Sequence, residues 1–169
     1  KQKNIPLNLE IEPETSILIN TDKLRLEQIL KNLLSNAIKF TSEGSITLNI
    51  SNDKTKEKVI FKVTDTGIGI AKDKLRMVFE AFQQADGTTQ RKYGGTGLGL
   101  YISRELARLL GGEIDLKSTE GVGSEFTLTL PVIYTKEEQD QPLKRLEEKP
   151  VYPIAEVEKQ PERFISNKI

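Results

Sequence analysis

The chain of 169 residues carries 25 Lys plus Arg and 25 Asp plus Glu, so its formal net charge at pH 7 is zero. Because no overall field attracts nucleic acid or anionic membranes, any anion site has to be local, and we expect no nucleic-acid partner. The absence of cysteine excludes disulfides and thiolate chemistry, and no apolar run approaches the roughly 20 residues of a membrane span. We therefore expect a cytoplasmic chain with one globular unit.

The composition changes near Pro131. All twelve glycines precede this residue, whereas four of the seven prolines follow it among many Lys and Glu residues. A stretch of that composition buries too little apolar surface to order itself. We predict a globular domain over residues 1–132 and a flexible linker over 133–169. The final ISNKI regains apolar character, which fits either a frayed tail or the first strand of another domain.

Hydrophobic periodicity predicts the following elements. In chain order they are strands at 7–12 and 16–20, a helix from Thr21 with Thr21 or Asp22 as its N-cap, strands in GSITLNIS and KEKVIFKVTD, helices at about 72–82 and 97–110, and strands in GEIDLKS and SEFTLTLP. The turns NDKT and EGVG join successive strands into hairpins, and Gly111 ends the last helix. Helices and antiparallel strands in this order predict an α+β fold, a two-layer α/β sandwich.

Polar residues share one face of the first helix. Asn32, Asn36 and Phe40 follow at steps of four, and Lys39 points to nearly the same side. Amide oxygens are hard ligands that suit Mg²⁺, and a lysine ammonium suits phosphate. The alternative is that both asparagines only hydrogen-bond a neighbouring loop.

An apolar strand runs into DTGIGI, so that Asp65 stands at a strand end before Gly67 and Gly69. Such a carboxylate accepts hydrogen bonds, for example from the exocyclic amine of adenine, beside backbone that a flat ring can approach. Two alternatives remain open here. Asp65 begins an ordinary turn, or Asp-Thr-Gly presents the catalytic acid of an aspartic protease that pairs two chains.

The third cluster is YGGTGLGLYI, in which four glycines precede a predicted helix. A helix N-terminus with free N–H groups binds anions, and Arg91 and Lys92 lie just upstream. The spacing matches neither a P-loop nor a dinucleotide fingerprint, and a mobile surface loop is the plain alternative. Together the three clusters fit a purine nucleoside triphosphate with magnesium.

This combination resembles the catalytic ATP-binding domain of sensor histidine kinases, in the superfamily that includes gyrase, MutL and the heat-shock chaperone ATPase. LRLEQILKNLLSNAIKFT resembles the N box, DTGIGI the first glycine box, VFEAFQQAD the phenylalanine box and GGTGLGL the second glycine box. They occur in the family's order and cover most of residues 16–131. The resemblance implies a Bergerat-type ATP-binding sandwich, with a mixed, mainly antiparallel sheet covered by about three helices, and a mobile lid at about 83–95.

The resemblance also implies roles for individual residues. Asn36 becomes the magnesium ligand with support from Asn32, Asp65 receives the adenine amine, and either Arg91 or Lys92 reaches the γ-phosphate. The implied ATP-binding residues are Asn32, Asn36, Lys39, Phe40, Asp65, Gly67, Gly69, Ile70, Arg91, Lys92, Gly95, Thr96, Gly97, Leu98, Gly99 and Leu100. Phe79 and Phe82 are expected to anchor the lid by packing.

Asn32 stands where hydrolysing members of the superfamily carry a glutamate that activates water. Because a carboxamide is not a useful base near neutral pH, we expect ATP to be bound and kept. A gyrase-type hydrolase is therefore disfavoured, and a docking scaffold without nucleotide is a further alternative.

The phosphoacceptor has to be elsewhere, because the chain contains no histidine. The resemblance implies a two-component histidine kinase whose phosphoacceptor dimerisation domain lies before Lys1 and whose phosphate passes to a response regulator or receiver domain. If ISNKI opens a receiver domain, the parent protein is a hybrid kinase. We expect this fragment to be monomeric and the parent to be a homodimer.

Overall fold

A computed structural model describes residues 4–13, 15, 18–80 and 98–133. The strands are β1 (Leu7–Ile11), β2 (Ile46–Asn52), β3 (Lys58–Asp65), β4 (Glu113–Thr119) and β5 (Gly123–Pro131). They form one sheet in the order β1-β2-β3-β5-β4, in which β1 runs parallel to β2 and the other neighbours are antiparallel. The prediction of a mixed, mainly antiparallel sheet is confirmed.

In the described part of the chain, two α-helices lie on one face of this sheet, α1 (Lys23–Phe40) and α2 (Gly99–Leu109). Asp22 caps α1, as predicted, by accepting a hydrogen bond from the Arg25 N–H at 3.2 Å. The chain leaves α2 through Gly111, whose φ of 74° is the left-handed conformation of a glycine C-cap. The start of α1 and the end of α2 therefore carry the residue types that typically begin and end helices.

The core lies between the helices and the sheet. Alternate residues of β3 and β5 point towards the helices and are buried, and a stripe of α1 meets them. The fully buried or nearly buried members include Ile29, Leu33, Ala37, Val59, Phe61, Val63, Ala107, Phe126, Leu128 and Leu130. The opposite face of the sheet is polar, as the ion pair between Lys62 and Glu125 at 3.7 Å illustrates. One wet face is usual for a mainly antiparallel sheet.

The segment predicted as a helix over 72–82 takes a different form. Its described part, up to Glu80, consists of two 3₁₀ turns, Lys72–Lys74 and Met77–Phe79. The prediction of one α-helix there is wrong, because tertiary packing outweighs periodicity in so short a segment. Phe79 is buried and meets the Phe126 ring edge-on with the centroids 6.5 Å apart.

Other predictions fall wholly or partly outside the described residues. Of the strand expected at 16–20, the described part contributes a single bridge between Asn20 and Ile133. The expected lid at 83–95 and the boundary between 132 and 133 stay predictions. Within the described ranges, neither helix is long and apolar enough to cross a membrane.

Two leucines of α1 allow a matched test of the core. Leu33→Ala removes a side chain with no exposed surface and should lower the free energy of unfolding by about 2–5 kcal/mol. Leu24→Ala removes a leucine that is 78% exposed on the same helix and should change it by less than about 0.5 kcal/mol. Urea unfolding of both variants measures the difference, and equal effects would contradict the packing described above.

Candidate functional site

The polar face of α1 holds four of the predicted site residues. Asn32 and Phe40 are eight positions apart, which places them about 12 Å apart along the helix axis. The Lys39 ammonium lies over the Phe40 ring, 5.0 Å from its centroid. Asn36 lies between the ends of this face and is partly exposed. The face is long enough to run alongside a nucleoside triphosphate.

Asp65 is the last residue of β3 and points to the helix side of the sheet, where it is only 5% exposed. Its Oδ1 accepts a hydrogen bond from the Gly67 N–H at 2.8 Å. Burial raises the pKa of Asp65 above its ordinary range, and backbone hydrogen bonds from Gly67 and Ser124 partly oppose that rise. The site thus contains a desolvated carboxylate held in one orientation.

The loop after Asp65 is attached to the end of α1. The Ile68 N–H donates to the Phe40 carbonyl at 3.2 Å. Gly67 lies so close to α1 that a Cβ there would be 2.5 Å from the same carbonyl oxygen. Only glycine fits at this position, and the contact brings Asp65 to the Phe40 end of the polar face.

The β4–β5 hairpin supports the same loop from the other side. The Ile70 N–H donates to the Ser118 hydroxyl at 2.8 Å, and the Gly121 N–H donates to the Ile68 carbonyl at 2.8 Å. Gly69 has a φ of 64° and packs against the Thr119 carbonyl. The space beside both loop glycines is therefore filled by protein backbone, so the packing of the loop alone already requires their pattern.

Ser118 and Ser124 form a hydroxyl pair behind Asp65, and sequence reasoning missed both. Ser118 Oγ donates its single proton to the Gly123 carbonyl at 2.8 Å, so Ser124 is the donor in the 3.0 Å contact between the two hydroxyls. Ser124 lies opposite Asp65 in the β3–β5 register. One signal for this pair was present in the sequence, because each of two alternating strands has a serine at a position that faces the core.

The N-terminus of α2 meets the other end of the polar face. Asn32 Nδ2 donates to the Ser103 hydroxyl on α2 at 2.9 Å. Gly99, the first residue of α2, lies against the Asn32 amide. Among the described residues, no side chain caps the start of α2 at Leu98. The first N–H groups of a helix are potential donors to an anion, and those of α2 lie near Asn32.

The candidate metal ligands on the polar face of α1 are amide oxygens rather than acidic side chains. Among the described residues no three His, Cys, Asp or Glu side chains gather as a metal site. Asn32 is engaged with Ser103, whereas no hydrogen bond joins the Asn36 side chain to another described residue. An amide oxygen combined with phosphate oxygens and water suits Mg²⁺, so Asn36 fits the predicted ligand.

The structure thus brings together the predicted residues on α1, at the end of β3 and at the start of α2. Ile70 and Leu100 also pack against the core rather than standing free. Five predicted residues, Arg91, Lys92, Gly95, Thr96 and Gly97, lie outside the described residues, as does Phe82. Their expected contacts with phosphate stay predictions.

Solved structures of histidine kinases are similar to this fold. The crystal structure of full-length ShkA in complex with AMPPNP superposes with a TM-score of 0.64 at 37% identity, over 76% of this chain and 26% of that one. The nucleotide-free catalytic domain of the histidine kinase ThkA gives a TM-score of 0.65 at 29% identity, over 79% of this chain and 83% of that one. The predicted α+β sandwich is confirmed.

Curated relatives are sensor and hybrid kinases of which this chain spans a small part. It is 44% identical over 133 residues to hybrid signal transduction histidine kinase B of Dictyostelium discoideum, covering 77% of this chain and 7% of the relative. It is 45% identical over 134 residues to the autoinducer 2 sensor kinase/phosphatase LuxQ of Vibrio harveyi, covering 77% and 16%. These relatives confirm the resemblance to histidine kinases and leave the aspartic protease without support.

One family covers the whole described site. The family described as histidine kinase-, DNA gyrase B- and HSP90-like ATPase matches residues 21–133, from the cap of α1 to the end of the sheet. The chain belongs to this ATPase family.

Proposed function

We propose that the chain binds Mg-ATP and presents the γ-phosphate to a histidine on a separate domain of the same parent protein. The observation that carries the proposal is Asp65, a buried carboxylate at the end of the polar face of α1. Burying a carboxylate costs free energy, and a purely structural role would not require a charged group at this position. A desolvated acceptor beside a helix face with a magnesium ligand fits the recognition of an adenine nucleotide.

The base end of the proposed site is built around Asp65. An ionised carboxylate accepts the exocyclic amine of adenine, and removal from water strengthens that hydrogen bond. Phe40 supplies an aromatic side chain at the same end. Because Gly67 and Ser118 anchor the loop to its neighbours, the acceptor is in place before a ligand arrives.

The phosphate end is built from α1 and α2. The N-terminus of α2, which no described side chain caps, offers N–H groups and the positive end of the helix dipole. Asn36 would hold Mg²⁺ through its amide oxygen, and Lys39 would approach phosphate charge. When bound, the ion neutralises and orients the phosphates.

The proposed chemistry stops short of hydrolysis. Asn32 carries no carboxylate and its amide is committed to Ser103 at 2.9 Å, so no base stands there to activate water. In-line phosphoryl transfer depends mainly on positioning and charge neutralisation, provided that the nucleophile is brought in. ATP is kept until a histidine arrives.

The partner domains are proposed on the same basis. The chain contains no histidine, and relatives such as the Dictyostelium hybrid kinase are far longer than the matched part. A phosphoacceptor dimerisation domain would supply the imidazole, and a receiver domain or response regulator would accept the phosphate next. The parent would act as a homodimer through the acceptor domain.

Titration of Mg-ATP into the chain tests the proposal directly. Asp65→Asn replaces an ionised acceptor, and hydrogen bonds to charged groups contribute about 1.5–3 kcal/mol, so affinity should fall by roughly ten- to a hundredfold. Asn36→Ala should weaken binding only when Mg²⁺ is present. Calorimetry with and without EDTA separates the two effects.

Two matched substitutions on the open face of the sheet serve as controls. Asp115→Asn and Asn49→Ala change the same residue types away from the site and should leave the affinity unchanged. No binding by the unaltered chain would contradict the proposal and favour a scaffold without nucleotide.

Hydrolysis is a separate test. The isolated chain with Mg-ATP should release inorganic phosphate no faster than a protein-free blank, since it has neither a base at Asn32 nor an acceptor histidine. A coupled phosphate assay over several hours measures this. Steady release by the chain would show that another group activates water.

The raised pKa of Asp65 predicts that the free energy of unfolding depends on pH. Because burial raises this pKa in the folded chain, the unfolded chain ionises first as pH rises from about 4. The stability that Asp65 contributes is fully present below that pH and is lost as pH rises through the folded pKa. The free energy of unfolding should therefore fall with pH relative to Asp65→Asn, which has no such proton.

Urea unfolding between about pH 3 and pH 7 measures this difference. Asp115→Asn, scanned in parallel, controls for the loss of one carboxyl group. If the difference in free energy of unfolding between the unaltered chain and Asp65→Asn stays constant, or grows in favour of the unaltered chain with rising pH, the raised pKa of Asp65 is refuted.

A further inference from the structure

We propose that Ser103 is a positioning residue for the phosphate end of the site, acting through Asn32. The inference rests on the proposed function. Ser103 has no place among the nucleotide contacts expected above, yet it is the α2 partner of a residue on the polar face of α1. It would set how the two helices cross, and thereby where Asn36 stands relative to the start of α2.

The environment of Ser103 is unusual for a serine. It is 2% exposed and shares the buried stripe of α2 with Ala107, near the buried Leu110 that follows the helix. A buried hydroxyl requires a partner, and Asn32, 71 residues earlier in the chain, supplies it at 2.9 Å. Hydrophobic packing alone would place an apolar residue at this position.

The same asparagine is confined at its other end. Its Oδ1 lies so close to Gly99 that a Cβ there would clash with it, so a glycine lets the first turn of α2 approach α1. The amide nitrogen is directed to Ser103 and the oxygen to Gly99. Asn32 is therefore held between two turns of α2 and connects the helices by contacts that leave little freedom of rotation.

This contact lies beside the groups proposed to meet phosphate. Asn36 follows Asn32 by one turn of α1, and Gly99 begins the helix whose first N–H groups we propose meet the phosphates. A change in the crossing of the helices would separate the magnesium ligand from those N–H groups. The base end depends instead on Phe40, β3 and the β4–β5 hairpin, so it should be insensitive to Ser103.

A comparison of two ligands separates positioning from general support. Ser103→Ala should raise the Kd of Mg-ATP by about tenfold, the size of a typical coupling energy between contacting residues, while the Kd of adenosine should change by less than about twofold. Ser103→Cys, which keeps a small unbranched side chain but accepts hydrogen bonds weakly, should fall between Ser103→Ala and the unaltered chain.

A double-mutant cycle tests the route through Asn32. Asn32→Ala should weaken Mg-ATP binding, and adding Ser103→Ala to it should weaken binding no further. Ser51→Ala removes another buried serine, on β2, and should leave both affinities unchanged. If Ser103→Ala fails to fold, as judged by urea unfolding, the Ser103→Cys comparison decides the question.

The outcomes distinguish this inference from the function on which it rests. Failure of the unaltered chain to bind Mg-ATP would overturn both. Binding by the unaltered chain with an unchanged Kd for Ser103→Ala would overturn only the positioning role. Equal losses for adenosine and Mg-ATP, or effects of Asn32→Ala and Ser103→Ala that add fully, would show that Ser103 supports the fold without directing the phosphate end.

Discussion

The Asp65 carboxylate is buried at the end of β3, where the other inward positions of the strand are apolar. A group of this kind persists only with hydrogen bonds, so the N–H groups of Gly67 and Ser124 have to be held against it. Holding them ties the following loop to α1 and to the β4–β5 turn. Many contacts at the proposed base end of the site therefore serve to hold this one carboxylate in place.

The proposed phosphate end depends instead on contacts between the two helices. There the relation of α1 to α2 matters, and the contact of Asn32 with Ser103 and Gly99 sets how closely they approach. Helix α1 belongs to both ends, because its last residue, Phe40, receives the loop after β3. Its rigid rise therefore fixes the distance between Asp65, which we propose reads the base, and the α2 N–H groups that we propose meet the phosphates.

Periodicity predicted β1 to β5, α1 and α2, because these elements have amphipathic patterns and clear end signals such as Asp22. It failed between Lys72 and Phe79, where a short segment takes its form from packing. The plain alternative for Asp65 also holds, since its carboxylate closes a turn with Gly67. Asn32 instead hydrogen-bonds Ser103 in the middle of α2, rather than a neighbouring loop. Hydrogen bonds across the chain, such as those of Ser103, leave no periodic signal and had to await the structure.

The supports of the site come late in the chain. Ser118 holds the Ile70 N–H from 48 residues downstream, and Ser103 meets Asn32 across 71 residues. A chain made from its N-terminus therefore exposes Asn36 and Asp65 long before the segments that orient them exist. A nascent or truncated chain without the last hairpin would lack the stabilisation that a ligand gives to a finished fold. Occupancy by nucleotide would thus report that synthesis of the domain has been completed.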